Sequence, residues 1–210
     1  MRGKGLMGPP ALVLITDSRR LEREALFAQI EAALAGGVDA VLVREQEMDA
    51  ARLLAFAARI RQLTRACGAR LWVHTQADIA AAVGADGVHV AAAGIGELPG
   101  MRRWLAGQTM SLSASCHTAA ELEMAAAAGA DFAFLSPVFP TASHAGAPHL
   151  GVARFRELAA EAPLPVLALG GITSDNRGEL AGYGVAAIGA LLDAADARAA
   201  ARALGETRES

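Results

Sequence analysis

Aromatic residues and long apolar runs are scarce in this chain, and neither sign of charge dominates it. Phe, Trp and Tyr make up 4% of the 210 residues while 53% are hydrophobic, so we expect an ordered core of Ala, Val, Leu and Ile. A net charge of −3, with basic residues scattered, argues against a nucleic-acid partner. No apolar run approaches the ~18–20 residues that span a bilayer, which argues against a membrane partner.

The start of the chain has little that resembles a signal peptide. The segment MRGKGLMGPP lacks an apolar central region, so we interpret residues 1–10 as a flexible tail of a cytoplasmic protein and 11–210 as one domain. Cysteine is also rare, and Cys67 and Cys116 could form at most one disulfide. We expect both to be free thiols, because cytosolic proteins seldom keep disulfides.

A junction of glycine followed by a short apolar run recurs along the sequence. It reads AGGVDAVLV at 35–43, VGADGVHV at 83–90, AGADFAFL at 128–135 and, more weakly, YGVAAIGA at 183–190. A left-handed glycine is expected to end each helix, and in the first three junctions the Asp (Asp39, Asp86 or Asp131) is expected to begin the strand. Between the junctions lie amphipathic segments such as 49–67, whose apolar residues recur at helical spacing.

Eight short apolar runs predict eight strands. They lie at 12–16, 39–44, 70–74, 86–90, 109–115, 131–136, 165–169 and 185–189. Continuous apolar strands that alternate with helices are typical of a covered parallel sheet, and eight units favour a closed (β/α)8 TIM barrel. An open doubly wound sheet is the alternative, although no G-x-G-x-x-G follows the first strand.

In such a barrel the carboxyl ends of the strands form one rim, the barrel mouth, where function is expected. All five histidines lie at or beyond a predicted strand end. His74, His117 and His144 are therefore candidate acid–base catalysts, and His89 is a candidate substrate contact. Three histidines could also bind a transition metal, but no His-x-His spacing supports this, and we predict no metal site.

Other residues near the strand ends have two readings each. Asp17 either caps the first helix or touches substrate. Cys116 is either a nucleophile or a small buried side chain, since its neighbours Ser115 and His117 point to the opposite face of an extended strand. Arg44 either binds a ligand phosphate or carboxylate, or pairs with an acid such as Glu45.

Glycines after strands 7 and 8 predict a phosphate site. In LGGIT (169–173) and IGALL (188–192), Gly170, Gly171, Gly189 and Ala190 would let backbone N–H groups approach an anion. The alternative is that these glycines only make tight turns. The segment 131–151 begins as strand 6 and continues as a long, irregular polar loop. Compact domains rarely keep such a loop unless it binds or reacts with something, and we interpret it as a lid over the mouth.

Several of these segments together resemble the thiamine phosphate synthase and TenI superfamily. They are LVLITD (12–17), VLVREQ (41–46), GADGVHV (84–90), SASCHT (113–118), SPVFPTASH (136–144) and LALGGIT (167–173). The resemblance implies a homo-oligomeric (β/α)8 barrel of thiamine biosynthesis that binds a thiazole phosphate. In the synthase branch it also implies a hydroxymethylpyrimidine diphosphate and Mg²⁺. The resemblance is closest to the TenI-like domain fused to Nudix hydrolases, which implies a functional link to such an enzyme.

Carried over residue by residue, the family pattern is kept in part. Arg44, Ser115, Thr141 and the phosphate glycines match, and Ser143 lies in the same substrate loop. The Asn-Asp pair after strand 3 is replaced by His74-Thr75, and the second metal carboxylate falls within the run Ala91-Ala92-Ala93-Gly94. The family's loop lysine is His144, and the histidine of related tautomerases aligns with Pro137.

These substitutions shape three functional hypotheses. Loss of both carboxylates and the lysine disfavours Mg²⁺-assisted departure of diphosphate, so the main prediction is a cofactor-free thiazole tautomerase that binds a phosphorylated small molecule. The first alternative is a thiamine phosphate synthase, with Mg²⁺ needed only in that case. The second is a non-catalytic barrel that binds the phosphate ligand or a partner protein.

Overall fold

The computed structural model describes residues 8–141 and 148–205 and contains a closed barrel of eight parallel strands. The strands are β1 (Leu12–Ile15), β2 (Ala40–Val43), β3 (Arg70–His74), β4 (Gly87–Val90), β5 (Ser111–Cys116), β6 (Phe132–Leu135), β7 (Val166–Leu169) and β8 (Gly184–Ala187). Each strand pairs with the next in the sequence, and β8 pairs with β1. The predicted TIM barrel is confirmed, and the open sheet is wrong.

Helices follow the strands and cover the outside of the barrel. They are α1 (Arg23–Ala35), α2 (Ala50–Ala66), α3 (Ala77–Val83), α4 (Leu98–Trp104), α5 (Ala119–Ala127), α6 (Gly151–Glu161), α7 (Gly189–Leu192) and α8 (Ala197–Gly205). Short 3₁₀ segments span Ala92–Glu97 and Arg177–Leu180. Within the described ranges, no helix is long and apolar enough to cross a membrane.

The helix predicted at 49–67 is confirmed as α2. Asp49 lies at its N-cap, and its carboxylate accepts a hydrogen bond of 2.9 Å from the Arg52 backbone N–H. This satisfies one of the donors that the first helical turn leaves unpaired.

The glycine junctions explain how the helices return to the barrel. Gly37, Gly84 and Gly129 have φ values of +110°, +64° and +89°, as the first three junctions predict. The fourth junction differs from its prediction, because Gly182 takes the left-handed conformation (φ +87°) and Gly184 begins β8.

An aspartate precedes β2, β4 and β6 at the amino-terminal rim of the barrel, so each of these strands begins one residue later than predicted. Each carboxylate accepts a hydrogen bond from a backbone N–H of the preceding strand, at 3.0, 2.8 and 2.6 Å: Asp39 from Leu12, Asp86 from Leu71 and Asp131 from Leu112. An arginine lies beside each of the three carboxylates. These acids therefore stabilise the rim opposite the mouth.

Alternation along the strands divides the apolar residues into two cores. The larger core lies between the strands and the helices, and the smaller one fills the barrel interior. Trp72 is the largest interior side chain, and its indole N–H donates a 3.0 Å hydrogen bond to the Ser111 hydroxyl. Gly87 leaves the space that this indole occupies, since a Cβ there would collide with Trp72 Nε1. The floor of the barrel is thus filled by side chains.

Candidate functional site: the barrel mouth

The carboxyl ends of the strands surround a cavity of about 1090 Å³ at the barrel mouth. Every predicted site residue that the structure describes lines this cavity. They are Arg44, His74, His89, Ser115, His117, Thr141, Gly170, Gly171, Gly189 and Ala190. Ser143 and His144, and with them the centre of the predicted lid, lie outside the described residues.

The backbone of the β7 and β8 loops offers unpaired donors to this cavity. Within the described ranges, the N–H groups of Gly170, Gly171, Gly189 and Ala190 make no hydrogen bond to protein. We call these four residues the glycine cup. Four unpaired N–H groups around one cavity form the kind of concavity that binds phosphate.

Two of the cup glycines also have a packing role. Gly170 and Gly171 have φ values of +101° and +67°, and both pack against the loop after β6. A Cβ at Gly170 would lie 2.8 Å from Pro137 Cα, and one at Gly171 would collide with the Pro140 carbonyl oxygen. Gly170 and Gly171 therefore make tight turns, as the alternative reading predicts. Their N–H groups are also unpaired within the described ranges, so the two readings are compatible.

Arg44 follows β2 and presents a cation to the mouth. Its backbone N–H donates to Thr16 Oγ1 at 3.0 Å, which fixes the chain as it leaves the strand. Among the described residues its guanidinium makes no hydrogen bond or ion pair. Glu45 does not pair with it in the described chain: Glu45 Oε2 accepts from the Ser18 N–H at 3.1 Å, and its buried Oε1 has no hydrogen-bond partner there. An unpaired, half-buried guanidinium is a site for an anion.

Asp17 belongs to a charged cluster at the edge of the mouth. Its carboxylate accepts from Arg19 Nε at 2.9 Å and Arg20 Nε at 3.2 Å, and Arg20 also pairs with Asp193. The hydrogen bond from Arg19 is the main cause that lowers the Asp17 pKa below its usual value. The helix-cap reading of Asp17 is wrong, since α1 starts at Arg23 and Glu22 holds the N-cap position.

His74 and His89 lie side by side at the ends of β3 and β4, with ring centroids 6.0 Å apart. Burial, and secondarily the charge of Arg44, lowers the His74 pKa to about 4. Burial, followed by His74 and Arg44, lowers the His89 pKa to about 3. Both imidazoles are therefore neutral at physiological pH. His74 Nδ1 lies 3.1 Å from the Thr75 hydroxyl, which leaves Nε2 available.

Thr75 itself has φ +64°, a left-handed conformation that is unusual for a β-branched residue. Such a residue at a strand end beside a candidate catalytic group is a local strain of the kind found at functional sites.

His89 is 2% exposed and stacks on Phe134 at 4.7 Å between ring centroids. Its Nδ1 lies 2.9 Å from Ser113 Oγ, and its Nε2 lies 2.8 Å from Ser115 Oγ. Both ring nitrogens are occupied by serines of β5, and Ser115 lines the cavity beside the His89 ring.

His117 directly follows β5 and is held by Ser136, which follows the neighbouring strand β6. Its Nδ1 donates to the Ser136 carbonyl oxygen at 2.7 Å, which directs Nε2 away from that contact. A hydrogen-bonded, exposed imidazole at the mouth can exchange protons with a ligand. Its role in catalysis stays a prediction.

Cys116 lies on the opposite face of β5 and is completely buried. Burial raises the pKa of its thiol to about 12, with a smaller contribution from Glu121. A protonated thiol in an apolar core is not a nucleophile. Because side chains alternate between the two faces of β5, Cys116 is a small buried side chain, the second of its two predicted roles.

The mouth residues do not fit the Mg²⁺ that the family resemblance implies for a synthase. Magnesium prefers carboxylate and water oxygens, but the two carboxylates that line the mouth, Asp17 and Asp193, are ion-paired with arginines. The ends of β3 and β4 offer imidazole, hydroxyl and methyl groups. In the described part of the chain, no group of three or more His, Cys, Asp or Glu side chains could hold a metal ion.

Comparison with known proteins decides the family. Residues 12–193 match the family model for thiamine monophosphate synthase. The chain belongs to the thiamine monophosphate synthase family.

Among similar proteins, a putative thiamine-phosphate synthase of Geobacter sulfurreducens is 41% identical over 199 residues, covering 92% of each chain. The thiamine-phosphate synthase of Chromobacterium violaceum is 42% identical over 190 residues, covering 88% of this chain and 89% of that one. The structure of thiamine phosphate pyrophosphorylase from Pyrococcus furiosus superimposes with a TM-score of 0.79 and 32% identity over 92% of each chain.

Membership of the thiamine monophosphate synthase family confirms the resemblance and links the chain to thiamine biosynthesis. It favours the synthase alternative over the tautomerase as the activity to test first. The cytoplasmic location, the homo-oligomer, the domain limits and the Nudix link stay predictions.

Sequence reasoning missed three residues that support the site. Ser113 contacts His89 below the mouth, and the period-two pattern of Ser111, Ser113 and Ser115 indicates a polar face inside the barrel. Arg20 and Asp193 were also missed, because 173 residues separate them and only the closure of β8 on β1 brings them together.

Proposed function

We propose that this chain binds a thiazole phosphate in the barrel mouth and works as a thiamine-phosphate synthase, joining it to a hydroxymethylpyrimidine diphosphate. One observation carries the proposal. The glycine cup and the Arg44 guanidinium, each without a protein partner in the described chain, line the same cavity. Two anion sites in one cavity suit a reaction between a phosphate and a diphosphate.

The residues of the mouth would act by position and charge. In the coupling reaction a bond forms between the thiazole nitrogen and the pyrimidine methylene carbon, and the bond from that carbon to diphosphate breaks. The diphosphate leaves with the electron pair, and Arg44 would stabilise the accumulating negative charge. The neutral His74 and His89 would leave the thiazole nitrogen unprotonated, as a nucleophile must be.

A second candidate is the metal-independent isomerisation of a thiazole phosphate carboxylate. The observation that favours it is the donor set of the mouth, which fits acid–base chemistry better than a metal ion. His74 would take a proton from one ring position through its free Nε2 and return it to another. Arg44 would then hold the substrate carboxylate while the cup holds the phosphate.

One set of assays separates these functions. The purified chain is incubated with both coupling substrates, with Mg²⁺ or with EDTA, and thiamine phosphate and diphosphate are measured. Equal product without metal is expected, and product that depends on Mg²⁺ would refute the metal-free form of the proposal. In parallel, NMR follows conversion of the thiazole phosphate carboxylate between tautomers. Binding of thiazole phosphate without either reaction would support the non-catalytic alternative.

The Arg44→Gln variant tests the second anion site. Loss of a charge-assisted contact of about 1.5–3 kcal/mol predicts roughly tenfold to hundredfold weaker binding of the diphosphate substrate. Arg52→Gln, on the exposed surface of α2, is the matched control. An equal effect of the two substitutions would contradict the assignment of Arg44.

A further inference from the structure

Ser113 lies on β5 two residues before Ser115, deeper in the barrel, and is 1% exposed. Its hydroxyl has one hydrogen-bond partner among the described residues, Nδ1 of His89 at 2.9 Å. A hydroxyl hydrogen in such a place must be donated to an acceptor, because a buried donor without one is costly. The acceptor within reach is Nδ1, so Ser113 donates and His89 Nδ1 carries no proton.

The direction of the Ser113–His89 hydrogen bond fixes the direction of the next one, between His89 and Ser115. His89 is neutral, since burial lowers its pKa to about 3. A neutral imidazole without a proton on Nδ1 has its proton on Nε2. His89 Nε2 therefore donates to Ser115 Oγ across 2.8 Å. The Ser115 hydroxyl hydrogen is then left to point elsewhere, and Ser115 lines the open cavity.

We infer that Ser113 is a positioning residue that fixes His89 as the Nε2–H tautomer and thereby makes Ser115 a hydrogen-bond donor to the ligand. The reverse arrangement, in which Ser115 donates to His89 and accepts from the ligand, would leave the Ser113 hydrogen without an acceptor. The site would therefore select a ligand that presents an acceptor at Ser115, such as an unprotonated ring nitrogen or a carboxylate oxygen. This specificity rests on the proposed function for the ligand, but the tautomer does not.

Packing prevents the imidazole from turning to a different set of partners. Phe134 stacks on the His89 ring at an interplanar angle of 29°. The serines are two positions apart on one strand, so their side chains point to the same face and hold both ends of the ring. A ring held at both nitrogens and on one face keeps a single orientation.

The first experiment reads the tautomer directly without a ligand. Nitrogen-15 NMR of the imidazole rings in the full chain, assigned with a His89→Gln variant, distinguishes a protonated Nε2 from a protonated Nδ1. We expect the wild-type ring to carry its proton on Nε2, and the Ser113→Ala and Ser113→Gly variants to show a mixture of tautomers. A wild-type ring protonated on Nδ1 would overturn the inference.

The second experiment tests whether Ser113 acts through Ser115. Binding of thiazole phosphate is measured by calorimetry for wild type, Ser113→Ala, Ser115→Ala and the double variant. Each single variant should bind about two- to tenfold more weakly, the size of one neutral hydrogen bond. The double variant should bind no more weakly than Ser115→Ala alone. Multiplying effects would show that Ser113 does not work through Ser115.

Ser111→Ala is the matched control for both experiments. It makes the same chemical change two residues earlier on β5, where the hydroxyl contacts Trp72 and not His89. It should leave the His89 tautomer unchanged, and a tautomer shift in this variant would indicate a general disturbance of the strand. If wild type binds no thiazole phosphate, the proposed function fails, while the ligand-free NMR result still decides the inference.

Discussion

The substitution Gly189→Ala tests the glycine cup with little disturbance of the fold. A Cβ at this position would lie 2.8 Å from Asp193 Oδ2 and 3.3 Å from Arg20 Nη1. Both atoms are the ends of flexible side chains that can move by a few tenths of an ångström. By contrast, alanine at Gly171 would force a φ of +67° and collide with the Pro140 carbonyl oxygen, so that variant would misfold.

The expected effect follows from the hydrogen bonds that a phosphate would make. Each backbone N–H donating to a charged group contributes about 1.5–3 kcal/mol. A methyl group at the start of α7 would displace the phosphate from at least one of these donors. We therefore expect thiazole phosphate to bind roughly tenfold to hundredfold more weakly. The free energy of unfolding should change by less than about 1 kcal/mol, because alanine also favours the helix.

The measurement is calorimetric titration with thiazole phosphate, together with urea unfolding of both proteins. Gly96→Ala is the matched control, because a Cβ there has no heavy atom within 4 Å and the position has no left-handed φ. Equal affinity of wild type and Gly189→Ala, with both folded, would show that the phosphate does not bind in the cup.

Three further predictions concern the scaffold. Gly87→Ala should lower the free energy of unfolding by about 1–3 kcal/mol or more, measured by urea denaturation, because the new methyl collides with the Trp72 indole and with the Ser111 carbonyl oxygen. Arg177→Met should lower it by about 3–5 kcal/mol, since this 3% exposed guanidinium donates to three backbone carbonyl groups that would lose their donors. Because the pKa values of His74 and His89 are lowered to about 4 and 3, the unfolded chain binds more protons below the ordinary value of 6.5. Stability should therefore fall as the pH drops from 7 to 4, and His89→Gln should flatten this dependence; an unchanged slope would contradict the burial of a neutral ring.

Most of the fold could be predicted from local patterns. The strand at 70–74 and the helix at 50–66 follow from the period of apolar residues, and the left-handed glycines follow from the absence of a Cβ. The burial of Cys116 also follows from local pattern, because successive residues in a strand face opposite ways and its neighbour Ser115 faces the cavity. These properties depend on neighbours within a few positions, which a sequence displays directly.

The sequence alone placed Arg44, the histidines and the cup glycines at strand ends, and so predicted that the site lies at the barrel mouth. The tertiary structure decided what surrounds each of them. It showed that Arg44 has no partner in the described chain while Asp17 has two, and that His89 is held by Ser113 and Ser115. The physical reason is that pKa values, tautomers and ion pairs depend on neighbouring groups. Closure of the barrel brings these groups together from distant positions in the sequence, and local patterns do not show which distant residues will meet.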